Sequence, residues 1–163
     1  MKLIIIIKRM LKILMKIFLI GCILSVIVLM PVHASALCVK VSTANLRSGP
    51  GTEYDQMWQV YKYMPLKKVG TSVSGDWFAV EDVDGDVTWI HKSLVTRKYK
   101  CATVKSKIVN VRTGPGTKYK KKFSEPAQQY ESFKVLQIKR PWVKVQDTWG
   151  NVGWIHKSYL WIY

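Results

Sequence analysis

Histidine, cysteine and acidic side chains are all scarce in this chain: three, three and ten among 163 residues, against 26 Lys and Arg. Each shortage excludes a chemistry. A cysteine peptidase needs a thiolate beside a histidine base, and beyond residue 36 the chain has only Cys38, Cys101, His91 and His156 for that purpose. Neither histidine is spaced as a partner for either cysteine. Paired-carboxylate glycoside hydrolysis needs a cleft with one raised-pKa acid, and residues 98–163 offer Glu125, Glu131 and Asp147 alone. Two distant cysteines give no zinc spacing. Asp82-Val83-Asp84-Gly85-Asp86 looks like part of a calcium loop, but its glycine stands fourth and position twelve falls on Ser93, so a hairpin turn is the better reading. No catalytic residue, metal or cofactor is therefore expected. Sustained helical periodicity is also missing after residue 36, which leaves an all-β chain of short strands between turn signals.

The front differs from the rest. Residues 1–36 hold no acid and five bases (Lys2, Lys8, Arg9, Lys12, Lys16), then an apolar run over 17–30 and the small-residue stretch Pro31-Val32-His33-Ala34-Ser35-Ala36. At 14 residues that run is short of the roughly 18 expected of a spanning helix. The pattern predicts a signal peptide over 1–36, cleaved after Ala36, and hence an exported protein of the periplasm or cell envelope. Met15 is a second candidate start. Leu19-Ile20-Gly21-Cys22 resembles a lipobox, so lipidation at Cys22 and a retained membrane anchor stay open as alternatives.

What the chain does have, it has twice. Asn45-Leu46-Arg47-Ser48-Gly49-Pro50-Gly51-Thr52-Glu53-Tyr54 returns as Asn110-Val111-Arg112-Thr113-Gly114-Pro115-Gly116-Thr117-Lys118-Tyr119, a shift of 110 − 45 = 65 positions. The same shift carries Trp77 onto Trp142, Asp82 onto Asp147, and Trp89-Ile90-His91-Lys92-Ser93 onto Trp154-Ile155-His156-Lys157-Ser158. One register over the whole unit means two copies of one fold. The expected domains are 37–97 and 104–163, with a linker at 98–103. Strands are expected near 39–41, 44–47, 66–72, 77–80 and 88–91, and again near 104–105, 109–112, 133–138, 142–145 and 153–156. Gly49-Pro50-Gly51 lacks the strand-then-helix context of a phosphate loop and reads as a sharp architectural turn. If the ends of a small barrel lie side by side, Cys38 and Cys101 can bridge and staple the first copy at its seam, worth roughly 4 kcal/mol for about 60 residues in the chain-entropy model. Free or intermolecular thiols are the alternative.

Charge separates the copies. Residues 37–97 hold seven bases and seven acids, net zero, whereas 98–163 hold fourteen and three, 14 − 3 = +11. The densest part is Lys118, Lys120, Lys121 and Lys122, directly after the second Gly-Pro-Gly. Such a patch attracts polyanions at range, or is simply a solvated lysine-rich surface. Strand alternation puts Trp142 on the face of Lys144, opposite Val143 and Val145. With Tyr119 from the adjacent loop, Trp142 is a candidate aromatic ledge. Trp77 and Tyr54 are the equivalents in copy one.

These motifs, Asn-Leu-Arg-Ser-Gly-Pro-Gly-Thr…Tyr, an isolated Trp before a Val, and Gly…Trp-Ile-His-Lys-Ser-Leu, resemble the bacterial SH3-like domain, over roughly residues 39–97 and 104–162. The resemblance implies two small SH3-like antiparallel β-barrels in tandem after the N-terminal signal peptide. It also implies a non-catalytic module of exported envelope proteins, with peptidoglycan or another anionic envelope polymer as the partner. An envelope protein or a host polyanion remains an alternative partner, and export disfavours nucleic acid. Arg47, Tyr54, Trp77 and Trp89, with Arg112, Tyr119, Trp142 and Trp154, occupy the family's recurrent positions and are the candidate ligand contacts beside the four lysines. The copies depart from each other in places. Glu125-Pro126-Ala127-Gln128-Gln129 stands where copy one has Val60-Tyr61-Lys62-Tyr63-Met64, matching Val69 to Val135 needs a one-residue slip, and Thr88 replaces the glycine found at 153.

Overall fold

The computed structural model describes residues 35–163. The expected signal peptide and Cys22 lie outside the described residues, apart from Ser35 and Ala36, which open the first strand. Among the described residues no helix is long and apolar enough to cross a membrane.

The first copy is a seven-stranded antiparallel sheet: β1 (Ser35–Val39), β2 (Thr43–Arg47), β3 (Gln56–Tyr61), β4 (Pro65–Thr71), β5 (Trp77–Glu81), β6 (Val87–His91) and β7 (Val95–Thr96), in the order β3-β2-β6-β5-β4-β1-β7. A single 3-10 turn, Lys92–Leu94, leads into β7. The second copy consists of β8 (Cys101–Val104), β9 (Ile108–Val109), β10 (Ala127–Gln128), β11 (Ser132–Lys139), β12 (Trp142–Gln146), β13 (Val152–His156) and β14 (Leu160–Ile162). Its strands fall into a pair, β10-β9, and a sheet, β13-β12-β11-β8-β14. Isolated bridges from Arg112 to Lys121 and to Trp154 join the two. Because Arg47 pairs with Trp89 in the same way, the topology is one and the same in both copies. Each copy encloses its own core: Leu37, Leu46, Leu66, Val80 and Ile90 in the first, Val104, Phe133, Val143, Val145 and Ile155 in the second.

The strand register corrects the copy-to-copy alignment. Lys68 pairs with Val80, and Val135 with Val145, the residue 65 positions further on. Val135 is therefore the counterpart of Lys68, 135 − 68 = 67, and the slip is two residues rather than one. Ala44 pairs with Val60 and Val109 with Ala127, so 60–64 correspond to 127–131 and not to 125–129. Tyr63 and Tyr130 become equivalents, both with left-handed backbone, φ 71° and 69°. The two extra residues lie in the long loop of copy two. They are removed again between β11 and β12, where Arg140-Pro141, joined by a cis peptide, replaces the longer Ser72–Asp76 connection.

The strands that open each copy sit differently from expectation. β1 ends at Val39 instead of beginning there, and β8 starts at Cys101, inside the expected 98–103 linker. Leu37, Cys38 and Val39 are all buried, as are all four residues of β8. Period-two alternation vanishes when both faces of a strand are covered. One face of each meets its own core, and the other meets the neighbouring domain. Cys38 and Cys101 form a disulfide there, Cα atoms 5.9 Å apart. It joins β1 of one domain to β8 of the next and does not close the first domain on itself. Tyr63 meets the connecting Tyr99 edge-on at 5.7 Å, and Ser132 Oγ donates to Met64 Sδ at 3.4 Å across the same joint. The strand β3 escapes sequence reading for the opposite reason: only Val60 of its six residues is buried.

Thr88 on β6 is buried with its hydroxyl unpartnered. Its counterpart Gly153 has no room for a side chain, since a Cβ there would lie 2.3 Å from Val111 Cγ1. Thr88→Val removes an orphaned hydroxyl at nearly constant shape and should raise stability by about 1 kcal/mol, read as a higher Tm. Replacing Cys38 and Cys101 together by Ser should lower it by roughly 2–4 kcal/mol. Unchanged melting of that double variant would show that the tie contributes nothing to the folded state.

Candidate functional site

The candidate residues cluster around the Gly-Pro-Gly loops, and local bonds explain most of them. Arg47 ends β2, and its Nη1 donates to the Tyr54 carbonyl at 2.6 Å. Arg112 donates to the carbonyls of Thr117 at 3.0 Å and Tyr119 at 2.8 Å. Each guanidinium thus clamps the two ends of its loop. Backbone bonds from Ser48 to Asp55 and from Thr113 to Lys120 complete the closure.

The tyrosine ring then lies on the first glycine of the triplet. A Cβ at Gly49 would come within 2.2 Å of Tyr54, and one at Gly114 within 2.3 Å of Tyr119. The second glycine has no such duty in copy two, where a Cβ on Gly116 would make only an ordinary contact at 3.4 Å. The ring contact, and not a left-handed backbone, demands the glycine.

The repeated Trp-Ile-His-Lys-Ser segment is a capping device. His91 Nδ1 accepts from the Ser93 amide at 3.3 Å and shares a 2.7 Å hydrogen bond with the Ser93 hydroxyl, capping the 3-10 turn. His156 does the same for Ser158. Trp77 and Trp142 each stand edge-on to their histidine, 5.3 Å between centroids. The adjacent Asp76 pairs with Lys92 at 2.7 Å, and that hydrogen bond holds its carboxyl below the ordinary value. A depressed carboxyl adds stability above its unfolded pKa, which is lost as pH falls through the folded one.

In copy one, Trp77 lines a hollow of about 450 Å³ with Arg47, Thr52, Asn45 and His91. Tyr54 does not line it, being engaged on Gly49. Trp89 and Trp154 are half-buried on β6 and β13, opposite Ala79 and Lys144. In copy two the aromatic surface is wider. Tyr159, where copy one has Leu94, stacks edge-on against His156 at 5.9 Å, so Trp142, His156 and Tyr159 form a row that sequence reading missed. The substitution of Leu by Tyr between copies was the available signal.

Lys118, Lys120, Lys121 and Lys122 are all exposed. Their backbone is held: Lys121 bridges to Arg112, and the Lys122 amide donates to the Val111 carbonyl at 2.7 Å. Lys118 Nζ lies 5.7 Å from the Tyr119 ring centroid. The result is a ridge of four exposed lysines on a held backbone beside one half-exposed tyrosine. Among the described residues, no group of three or more His, Cys, Asp or Glu could hold a metal ion.

A family model described as the bacterial SH3 domain matches this chain twice, at residues 40–96 and 105–161. A protein of Bacillus subtilis (strain 168) named "Putative N-acetylmuramoyl-L-alanine amidase YrvJ" is 26% identical over 87% of this chain, a stretch amounting to 30% of that relative. The chain thus spans under a third of the relative's length. Among solved structures, an NlpC/P60 family protein from Bacillus cereus is 15% identical with a TM-score of 0.36, over 79% of this chain and 56% of the other. The CBD of endolysin LysPBC5 is 15% identical with a TM-score of 0.32, over 82% and 96%.

Gly114→Ala forces the Tyr119 ring off its seat and should cost about 1–3 kcal/mol, whereas Gly116→Ala should change stability little. Thermal melts of both, and of Gly114→Ala combined with Tyr119→Ala, check this. Equal losses at the two glycines would show that the ring contact is not the constraint.

Proposed function

Because the chain belongs to the bacterial SH3 domain family, with one domain at residues 40–96 and a second at 105–161, we propose that it is an exported, non-catalytic module that binds the bacterial cell wall through peptidoglycan or another anionic envelope polymer. The observation that carries this reading is the ridge of Lys118, Lys120, Lys121 and Lys122, exposed and mounted on a clamped loop. Lysines on a held backbone meet a polyanion without first losing loop entropy. The relative named as an N-acetylmuramoyl-L-alanine amidase supports the wall as the target surface.

Binding then has two stages. The net +11 of residues 98–163 draws a polyanion in over a Debye length of about 8 Å at physiological salt. Contact follows through the Tyr119 ring and the Trp142 row, surfaces that offer apolar area to sugar or peptide. Arg112 serves by holding the loop, since its Nη1 is already engaged by two carbonyls. The first domain, with net charge zero over 37–97, adds little to the long-range attraction.

Co-sedimentation of the full chain with purified sacculi at low and high salt tests both stages. Replacing the four lysines by Ala should reduce low-salt binding at least about tenfold and flatten the salt dependence. Trp142→Ala should weaken the binding that survives high salt. Retention unchanged by the lysine substitutions at low salt would overturn the electrostatic stage, and a folded Trp142→Ala variant with full high-salt binding would overturn the contact.

A further inference from the structure

The chain has 26 basic and ten acidic residues, so its carboxylates have ample choice of partners. Five of the ten, Asp82, Asp84, Asp86, Glu131 and Asp147, nevertheless line one cleft of about 880 Å³ between the two domains. The two ion pairs among the described residues, Lys67 with Glu81 and Lys92 with Asp76, involve none of them. Lys62 is the single cation of the lining, and it sits 5.2 Å from the Tyr63 ring. This volume is that of a small-ligand site.

Aromatic rings share the cleft. Trp58 and Tyr61 come from β3, Tyr130 and Trp149 from the second domain. Trp149 is 85% exposed and Trp58 61%, so neither is a core residue. Neither repeats between the copies. The register places Glu125 opposite Trp58, 58 + 67 = 125, and Asp84 opposite Trp149, 149 − 65 = 84. The fold is built from what the copies share, and these two tryptophans are additions to it. Exposed rings beside carboxylates form a set suited to an organic cation, which the rings attract through their faces and the carboxylates through charge.

The electrostatics of the walls agree. Burial pushes the Asp82 carboxyl up, and the charges of Asp86 and Asp84 push it the same way. Asp82 and Asp147 are partly committed, each accepting backbone amides within its own hairpin. Asp84 of one domain raises the phenol of Tyr130, which belongs to the other. A cation entering the cleft would relieve the charge that Asp84 and Asp86 exert on Asp82. The same charge excludes the polyanion drawn to the lysine ridge.

We propose that this interdomain cleft is a second binding site, taking a short peptide that carries a free ammonium group, with the ammonium held between Asp84 and Asp86 and the peptide resting on Trp58 and Trp149. The site is separate from the lysine ridge, and its occupancy does not depend on wall binding by that ridge.

Calorimetric titration of the full chain with the peptide N-acetyl-Ala-Lys-Ala-amide tests it, beside the same peptide with the lysine Nε acetylated. The free-ammonium peptide should bind, and acetylation should weaken it at least about tenfold. The Asp84→Asn/Asp86→Asn variant should lose a similar factor with unchanged Tm, and Trp149→Ala should weaken binding as an independent check. Sacculus sedimentation of the Asn variant should be unaltered, which distinguishes this site from the ridge. No binding by the wild-type chain, or binding indifferent to acetylation and to both variants, would overturn the proposal. So would concentration-dependent self-association of the wild type that the Asn variant abolishes, since the cleft would then be filled by a lysine ridge of a second copy.

Discussion

The joint between β1 and β8 governs this molecule. Two small domains, each with a core of mainly Val, Leu and Ile, would ordinarily be related by a freely moving linker. Here the first strand of each is buried on both faces, and the Cys38–Cys101 disulfide lies where the two strands meet. Tyr99, in the short connection between β7 and β8, packs on Tyr63 and lies under the Lys134 ammonium at 5.3 Å. With the joint set, the Asp82–Asp86 hairpin of one domain faces the Tyr130 loop of the other. The cleft follows from the joint and belongs to neither domain alone.

Duplication frees one copy to change while the other keeps the fold. The shared parts are mechanical: an arginine clamping loop carbonyls, a tyrosine seated on glycine, and a histidine capping a 3-10 turn under a tryptophan edge. The unshared parts lie at the surface. Copy two carries the lysine ridge and Tyr159; the cleft carries Trp58 and Trp149. Positive and negative surfaces are thereby segregated, the ridge on the loop of copy two and the carboxylates in the cleft. A chain of high net charge keeps a local field of opposite sign only by such clustering.

Much of the fold was legible because its constraints are local. Turn glycines, the Arg-to-carbonyl clamp and the Trp-Ile-His-Lys-Ser cap all act within a few positions, so they leave a fixed spacing that repeats. The strands β4, β5, β6, β11, β12 and β13 fall close to where alternation places them. β1 and β8 did not, because burial by a neighbouring domain erases alternation, and β3 did not, because five of its six residues are exposed. The one-residue slip failed for a related reason. Sequence similarity aligned Val69 with Val135, while hydrogen-bond register pairs Val135 with Val145 as it pairs Lys68 with Val80, which makes Lys68 the counterpart of Val135. Of the candidate site, the lysines were legible as a run of like charge. The half-burial of Trp142 was legible from its face, but its partners His156 and Tyr159 were not.

By itself the sequence determined the duplication, the all-β class, the bacterial SH3 family and the concentration of positive charge in the second copy. These are properties of spacing and composition, and no coordinates are needed to state them. Only the tertiary structure decided that the cysteines join the domains instead of closing one of them, that residues 101–103 are strand, and that five carboxylates and five aromatic rings share one cleft. Those facts join residues far apart in the chain across an interface, Cys38 to Cys101 at a separation of 63 among them. Contacts between two separately folded units leave no period in the sequence.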